Sequence, residues 1–72
     1  MQKENLFRKL GVRIRKIRTE RGLSQVELAN SIGKDQQSIQ RLEKGNVNPT
    51  FYYLKEIAEG LEVEIEEIVK KL

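Results

Sequence analysis

The 72-residue chain has no cysteine, no histidine, no tryptophan and a single proline. Without cysteine there is neither a disulfide frame nor a thiolate metal site, and without histidine the common zinc-ligand sets and imidazole acid–base chemistry are missing as well. These absences point away from an enzyme and toward a protein with no metal and no cofactor. Long apolar runs are also lacking, so no segment reads as a membrane span. The stretch carrying Lys3, Glu4, Arg8 and Lys9 leads into no hydrophobic run of signal-peptide type. A cytoplasmic protein with no membrane partner is expected. There are no internal repeats, no low-complexity tracts and no strand-like alternation long enough to matter.

What the chain does have is helical spacing. With 38% apolar residues it can enclose one small core, so residues 1–72 read as a single domain, and chains this short often lean on dimerisation for stability. Phe7, Leu10, Ile14, Ile17 and Arg21 recur at intervals of three and four, which predicts a first helix from about Glu4 to Arg21 with that stripe turned inward. After a loop from Asn46 to Pro49, Thr50 is placed to cap a helix that buries Phe51, Leu54, Ile57, Ala58 and Leu61. A last helix from about Glu64 to Lys71 aligns Ile65, Ile68, Val69 and Leu72, with acids in its first turn and Lys70 and Lys71 in its last, the order its dipole favours.

Between these supports lies Gly22 to Gly45, reading GLSQVELANSIGKDQQSIQRLEKG. Ser24 followed three residues on by Glu27 is a capping box, after which Leu28, Ala29 and Ile32 face one way. Gly33 supplies the turn, Asp35 can cap the next helix, and Gly45 ends it. Ile39 and Leu42 lie three apart and face inward, which leaves Gln36, Gln37, Gln40 and Arg41 directed outward. Two short helices joined by such a turn make a helix-turn-helix, whose second helix enters the DNA major groove by its N-terminal end. The whole chain is thereby expected to be all-α, a compact five-helix bundle in which helices 2 and 3 form that unit, at about residues 24–44.

These residues, and Gln36-Gln37-Ser38-Ile39 with Leu42-Glu43 in particular, resemble the lambdoid phage repressor and Cro family within the wider Xre-type helix-turn-helix class, over roughly residues 10 to 69. The resemblance implies a sequence-specific DNA-binding regulator in which the positions of Gln36, Gln37 and Arg41 read bases. A glutamine amide matches the N7 and N6–H edge of adenine, and a guanidinium matches O6 and N7 of guanine. Arg41 stands where those repressors have a glutamine, which implies a different operator. Lys34 is placed for a base edge or a phosphate, behind the glutamines. Gln25, with the N–H groups of its helix start, corresponds to a phosphate contact, and Ser24, Lys44, Asn46, Asn48 and Arg15 are further phosphate candidates, with Arg8 and Arg13 depending on helix orientation. The loop after the second helix is poorer in cations than in those repressors and about one residue shorter. Arg18 and Glu43 correspond to a partly buried structural ion pair. Gly60 and Glu62 stand where relatives usually have alanine and glycine.

Charge divides along the chain. Residues 1–45 carry a net +6 and residues 46–72 a net −3, so a polyanion would approach the half that contains the helix pair. Tyr52, Tyr53, Ile65, Val69 and Leu72 suggest more apolar surface than one small bundle hides. Small regulators of this class pair through their last helices, which makes a homodimer the expected form. Two functional classes follow: a dimeric repressor on a palindromic operator, or an antitoxin-type module whose bundle mainly grips a protein partner such as a toxin or another regulator.

Overall fold

Helix boundaries in this chain follow local hydrogen-bonding chemistry closely. The computed structural model describes residues 2–70 and 72. Five helices run in order, α1 Lys3–Glu20, α2 Gln25–Ser31, α3 Gln36–Glu43, α4 Phe51–Leu61 and α5 Ile65–Val69, and the described residues include no strand. Ser24, Asp35 and Thr50 each accept a backbone N–H at the start of α2, α3 and α4. That satisfies donors that the first helical turn leaves unpaired.

Four helices end alike. In each, an N–H two or three residues past the last helical position bonds back to the carbonyl five residues earlier: Leu23 to Arg18, Lys34 to Ala29, Asn46 to Arg41 and Val63 to Ala58, at 2.9–3.1 Å. This Schellman closure requires a left-handed residue just before the donor. Gly22, Gly33 and Gly45 fill it at φ near +70°, and Glu62 fills it at φ +60°.

The core gathers all five helices. Ile14, Leu28, Ile39, Leu42, Ile57, Leu61 and Ile68 are fully enclosed, with Leu10, Ile17, Ala29 and Ala58 beside them. Each large side chain so buried contributes on the order of 2 kcal/mol of apolar transfer free energy. Two glycines set the tightest approaches. A Cβ on Gly11 would lie 2.4 Å from the Glu43 carbonyl oxygen and 2.6 Å from that of Leu42, so only glycine lets α1 lie flat on the end of α3. A Cβ on Gly60 would lie 2.7–3.0 Å from side-chain atoms of Leu28, Ile32 and Ser31, which brings α4 close against α2.

Three expectations about helix edges are corrected. Phe51 is 70% exposed rather than buried. It is the first residue of α4, and because helical side chains tilt toward the N-terminus, its ring projects past the end of the helix and misses the core that Ile57 and Leu61 reach. Arg21 is exposed and caps α1 from outside, its Nη2 donating to the Glu62 carbonyl at 3.4 Å; Arg18 takes the inward place. The last helix is shorter than its apolar spacing suggested, with Glu64 before it and Lys70 after it. Lys71 lies outside the described residues.

Candidate nucleic-acid interface

The corner between α2 and α3 is fixed at both ends by side chains adjacent in sequence. The Glu27 N–H donates to Ser24 Oγ at 3.0 Å while the Ser24 N–H donates to Glu27 Oε1 at 2.8 Å, completing the capping box. Past the turn, the Ser38 N–H donates to Asp35 Oδ1 at 2.8 Å. That bond holds the Asp35 carboxyl below its ordinary range, as expected of a carboxylate accepting from a helix N-terminus.

From this corner α3 divides cleanly into two faces. Ile39 and Leu42 are buried at 0% and 1% exposure, while Gln36, Gln37, Gln40 and Arg41 are all exposed. Both glutamines at the tip stand exposed, Gln36 touching only Gln25 by hydrogen bond among the described residues. The far end of α3 is locked instead. The Arg18 Nε donates to Glu43 Oε2 at 2.6 Å, its Nη2 to Glu43 Oε1 at 3.0 Å and its Nη1 to the Leu23 carbonyl at 2.7 Å, with both residues buried. The hydrogen bond to Glu43 raises the Arg18 pKa further above its ordinary value, against the opposing pull of burial. A guanidinium with its fork filled on two sides stabilises a geometry more than it adds raw affinity.

Between lock and tip stands Gln25. Its Nε2 donates to Glu43 Oε1 at 3.1 Å, and its Oε1 accepts from Gln36 Nε2 at 3.3 Å. A continuous chain of hydrogen bonds therefore runs from Arg18 on α1 through Glu43 and Gln25 to Gln36. The sequence reading gave Gln25 a place beside a phosphate and missed this bridge, because Gln25 and Glu43 lie eighteen positions apart and no local pattern joins them.

The geometry is that of a helix-turn-helix, and the family model described as Helix-turn-helix matches residues 14–68. The chain belongs to the helix-turn-helix family. It is 41% identical over 64 residues to an uncharacterized HTH-type transcriptional regulator of Sinorhizobium fredii, covering 88% of this chain and 83% of that one. Among solved structures it is similar to the restriction-modification controller protein C.AhdI of Aeromonas hydrophila, with a TM-score of 0.90 at 31% identity, over 94% of this chain and 99% of that one. It is also similar to the controller protein C.Esp1396I, solved as a tetramer in complex with its natural 35 base-pair operator, with a TM-score of 0.78 at 36% identity, over 90% and 96% of the two chains.

Around the helix-turn-helix the remaining candidate residues fall into three groups. Lys44, Asn46, Asn48 and Arg15 are exposed, the first three directly after α3. The Ser24 N–H and a lone pair of its hydroxyl are engaged in the capping box, which leaves its hydroxyl proton. Lys34 is turned toward α4, with its Nζ 3.7 Å from Glu56 and 5.6 Å from the centre of the Tyr53 ring. Tyr53 thus stands apart from the surface residues it was grouped with. It packs on the core, and its hydroxyl is buried without a hydrogen-bond partner among the described residues. Burial raises its pKa, with Glu56 and Asp35 adding to the effect. Tyr52, one position earlier and about 100° around the helix, is 73% exposed beside Phe51. Val69 is 41% exposed, and Ile65 and Leu72 pack partly against the core. Phe51 is the surface residue that the reading overlooked, having been counted as core from its spacing alone.

Proposed function

We propose that this chain is a sequence-specific transcriptional regulator of double-stranded DNA, a repressor that acts in the cytoplasm as a homodimer on a palindromic operator, with residues 1–72 forming one DNA-binding domain. The observation that carries this reading is the polar tip of α3: four exposed residues able to read base edges, on a helix whose other face is fully enclosed. Gln36 and Gln37 read adenine edges, Arg41 reads guanine by two parallel N–H groups, and Gln40 flanks them. The amide of Gln36 is already oriented by Gln25, so less side-chain freedom is lost when it meets a base. Lys34, held by Glu56 and Tyr53, contributes positive charge near the groove and is not a primary reader. Gln25, Ser24, Lys44, Asn46, Asn48 and Arg15 serve the phosphates. Tyr52 and Val69, with Ile65, Leu72 and the exposed Phe51, are the candidates for pairing two copies. The similarity to a controller protein solved on its operator supports the same reading.

Selection from a pool of random duplexes tests it. The expected product is a palindrome with half-sites about one duplex turn apart, bound with a steep loss of affinity as salt rises. On the selected duplex, Gln36→Ala and Arg41→Ala are each expected to cost about 1 to 3 kcal/mol of binding with the thermal midpoint unchanged. Binding without sequence preference, together with full affinity in both variants, would refute the assignment.

A further inference from the structure

A strongly positive hollow lies along the outer face of α1. It is an open groove of about 570 Å³ between α1 and residues 70 and 72, with Val12 and Leu72 as the apolar residues of its lining. Arg8, Lys9 and Lys16 rise from α1 along its sides, and Arg13 and Lys70 close its lower edge around Glu67, at 3.4 Å and 3.2 Å. Among the described residues Arg8, Lys9 and Lys16 make no ion pair. Val12 is 59% exposed at the centre of this cationic ring, an arrangement that a merely soluble surface does not need.

Orientation separates this face from the base-reading tip. Helix α1 meets α3 through Gly11 and Arg18; Lys9 and Lys16 lie roughly half a turn around from that seam, and Val12 about 100° from it. Lys9 and Lys16 therefore face away from the seam that seats α3, while Arg8 stands against Gly45 at the end of α3. Nor does the groove suit a two-fold pairing of this chain, since a self-complementary contact would set the same five cations of each copy against one another. The acidic hollow formed by Ile32, Glu56, Glu59 and Glu62 fits no better, because two concave surfaces cannot interlock.

We propose that this groove docks an acidic, amphipathic helix of a partner protein. From Arg8 to Lys16 the floor is about 12 Å long, two helical turns. An incoming helix would lay apolar side chains at i and i+3 or i+4 over Val12 and the stems of its neighbours, stopping short of Leu72, which belongs to the pairing surface, and present carboxylates on both flanks to Arg8, Lys9, Lys16 and Lys70. Such a partner could occupy the regulator while α3 remains on DNA.

The probe is a synthetic amphipathic helix of about fifteen residues, leucine on one stripe and glutamate on its flanks, titrated into isotopically labelled full-length protein. A peptide with lysine in place of glutamate and a duplex of unrelated sequence serve as comparisons. The expected result is amide shifts confined to residues 8–16 and Lys70 with the glutamate peptide. Its affinity should fall about tenfold in the double variant Lys9→Glu, Lys16→Glu and also in Val12→Asp, while affinity for the selected operator stays within about twofold. All three positions are exposed, and an unchanged helical spectrum and thermal midpoint verify folding. Equal shifts with the lysine peptide, or none on α1, would overturn the proposal. So would a large loss of operator affinity in the lysine double variant with a shallower salt dependence, which would make the face a phosphate contact instead.

Discussion

Two corners of the molecule close with the same hydrogen bonds and are built differently. Between α2 and α3 the left-handed position is Gly33, the incoming helix ends where the capping-box helix should, and Asp35 immediately caps the next helix. Between α4 and α5 the left-handed position is Glu62, and α5 starts at Glu64 with no side-chain cap and runs only five residues. The first corner is specified by its own residues. The second holds its shape through what it packs against, with Leu61 and Ile68 fully buried on either side of it. Their attachments to α1 differ in the same sense. The α2–α3 unit is tied by the buried Arg18–Glu43 fork, and the α4–α5 unit by Arg13 to Glu67 and Arg21 to Glu62, both exposed. A surface that must read a base edge is served by the stiffer construction, because an error of about 1 Å in the tip would spoil a bidentate contact.

The sharpest way to break that comparison is to cut one attachment of each kind. Arg18→Ala strands the Glu43 carboxylate in the core and is expected to cost about 3 to 5 kcal/mol in denaturant-induced unfolding. Arg13→Ala, at an exposed pair, is expected to cost about 0.5 kcal/mol or less. DNA binding by Arg18→Ala should fall with the fraction folded, and equal costs for the two variants would show that burial does not distinguish the attachments.

Next in size is Gly11→Ala. Inside an exposed helix the change from glycine to alanine stabilises by up to about 1 kcal/mol, so a gain would mean that α1 has room to move. The new methyl instead meets two backbone carbonyls of α3, and backbone cannot rotate away as a side chain can. A net loss of about 1 to 3 kcal/mol is expected from overpacking, with a weaker operator affinity because the seam that α1 forces open is the one that seats α3.

The two corners also explain how much of this molecule could be read from its residues. The capping box, Asp35, Thr50 and the glycine closures act over three to five positions, and all were legible in the sequence. So was the outward set Gln36, Gln37, Gln40 and Arg41, since Ile39 and Leu42 fix the phase of α3. The Arg18–Glu43 pair came only from the family resemblance, as nothing local links positions 25 residues apart. Gly11 went unremarked because a glycine inside a helix looks like a weakness until the opposing backbone is known. Phe51 and Arg21 were assigned inward from spacing, which holds within a helix and fails where it ends, since an end residue can continue the stripe without a neighbour to cover it. The contact of Lys34 with Tyr53 was likewise invisible, being a crossing of the α3 approach and α4.

A smaller substitution sharpens the contrast between the corners directly. Glu62 holds a conformation that costs a residue with a Cβ roughly 1 to 2 kcal/mol, and glycine removes that strain while adding freedom to the unfolded chain. Glu62→Gly is therefore expected to raise stability by about 0.5 to 1 kcal/mol, read as a higher denaturation midpoint with an unchanged slope. A loss would mean that the carboxylate does something at this corner beyond its backbone shape.

The smallest effect is expected where the two halves touch. Tyr53 lies between α4 and the approach to α3, its ring packed on the core and beneath the Lys34 ammonium, its hydroxyl buried with no partner. Tyr53→Phe keeps the ring, the packing and the aromatic face offered to the cation, and removes only the group whose desolvation nothing repays. Because the residue as a whole is only half-buried, small motions let that hydroxyl reach water, and the gain should be about 0.5 kcal/mol. Operator affinity should not change. If the variant instead lost stability, the hydroxyl would be donating to a neighbour such as Asp35 or Glu56 in solution, and the α2–α3 corner would depend on α4 for more than contact.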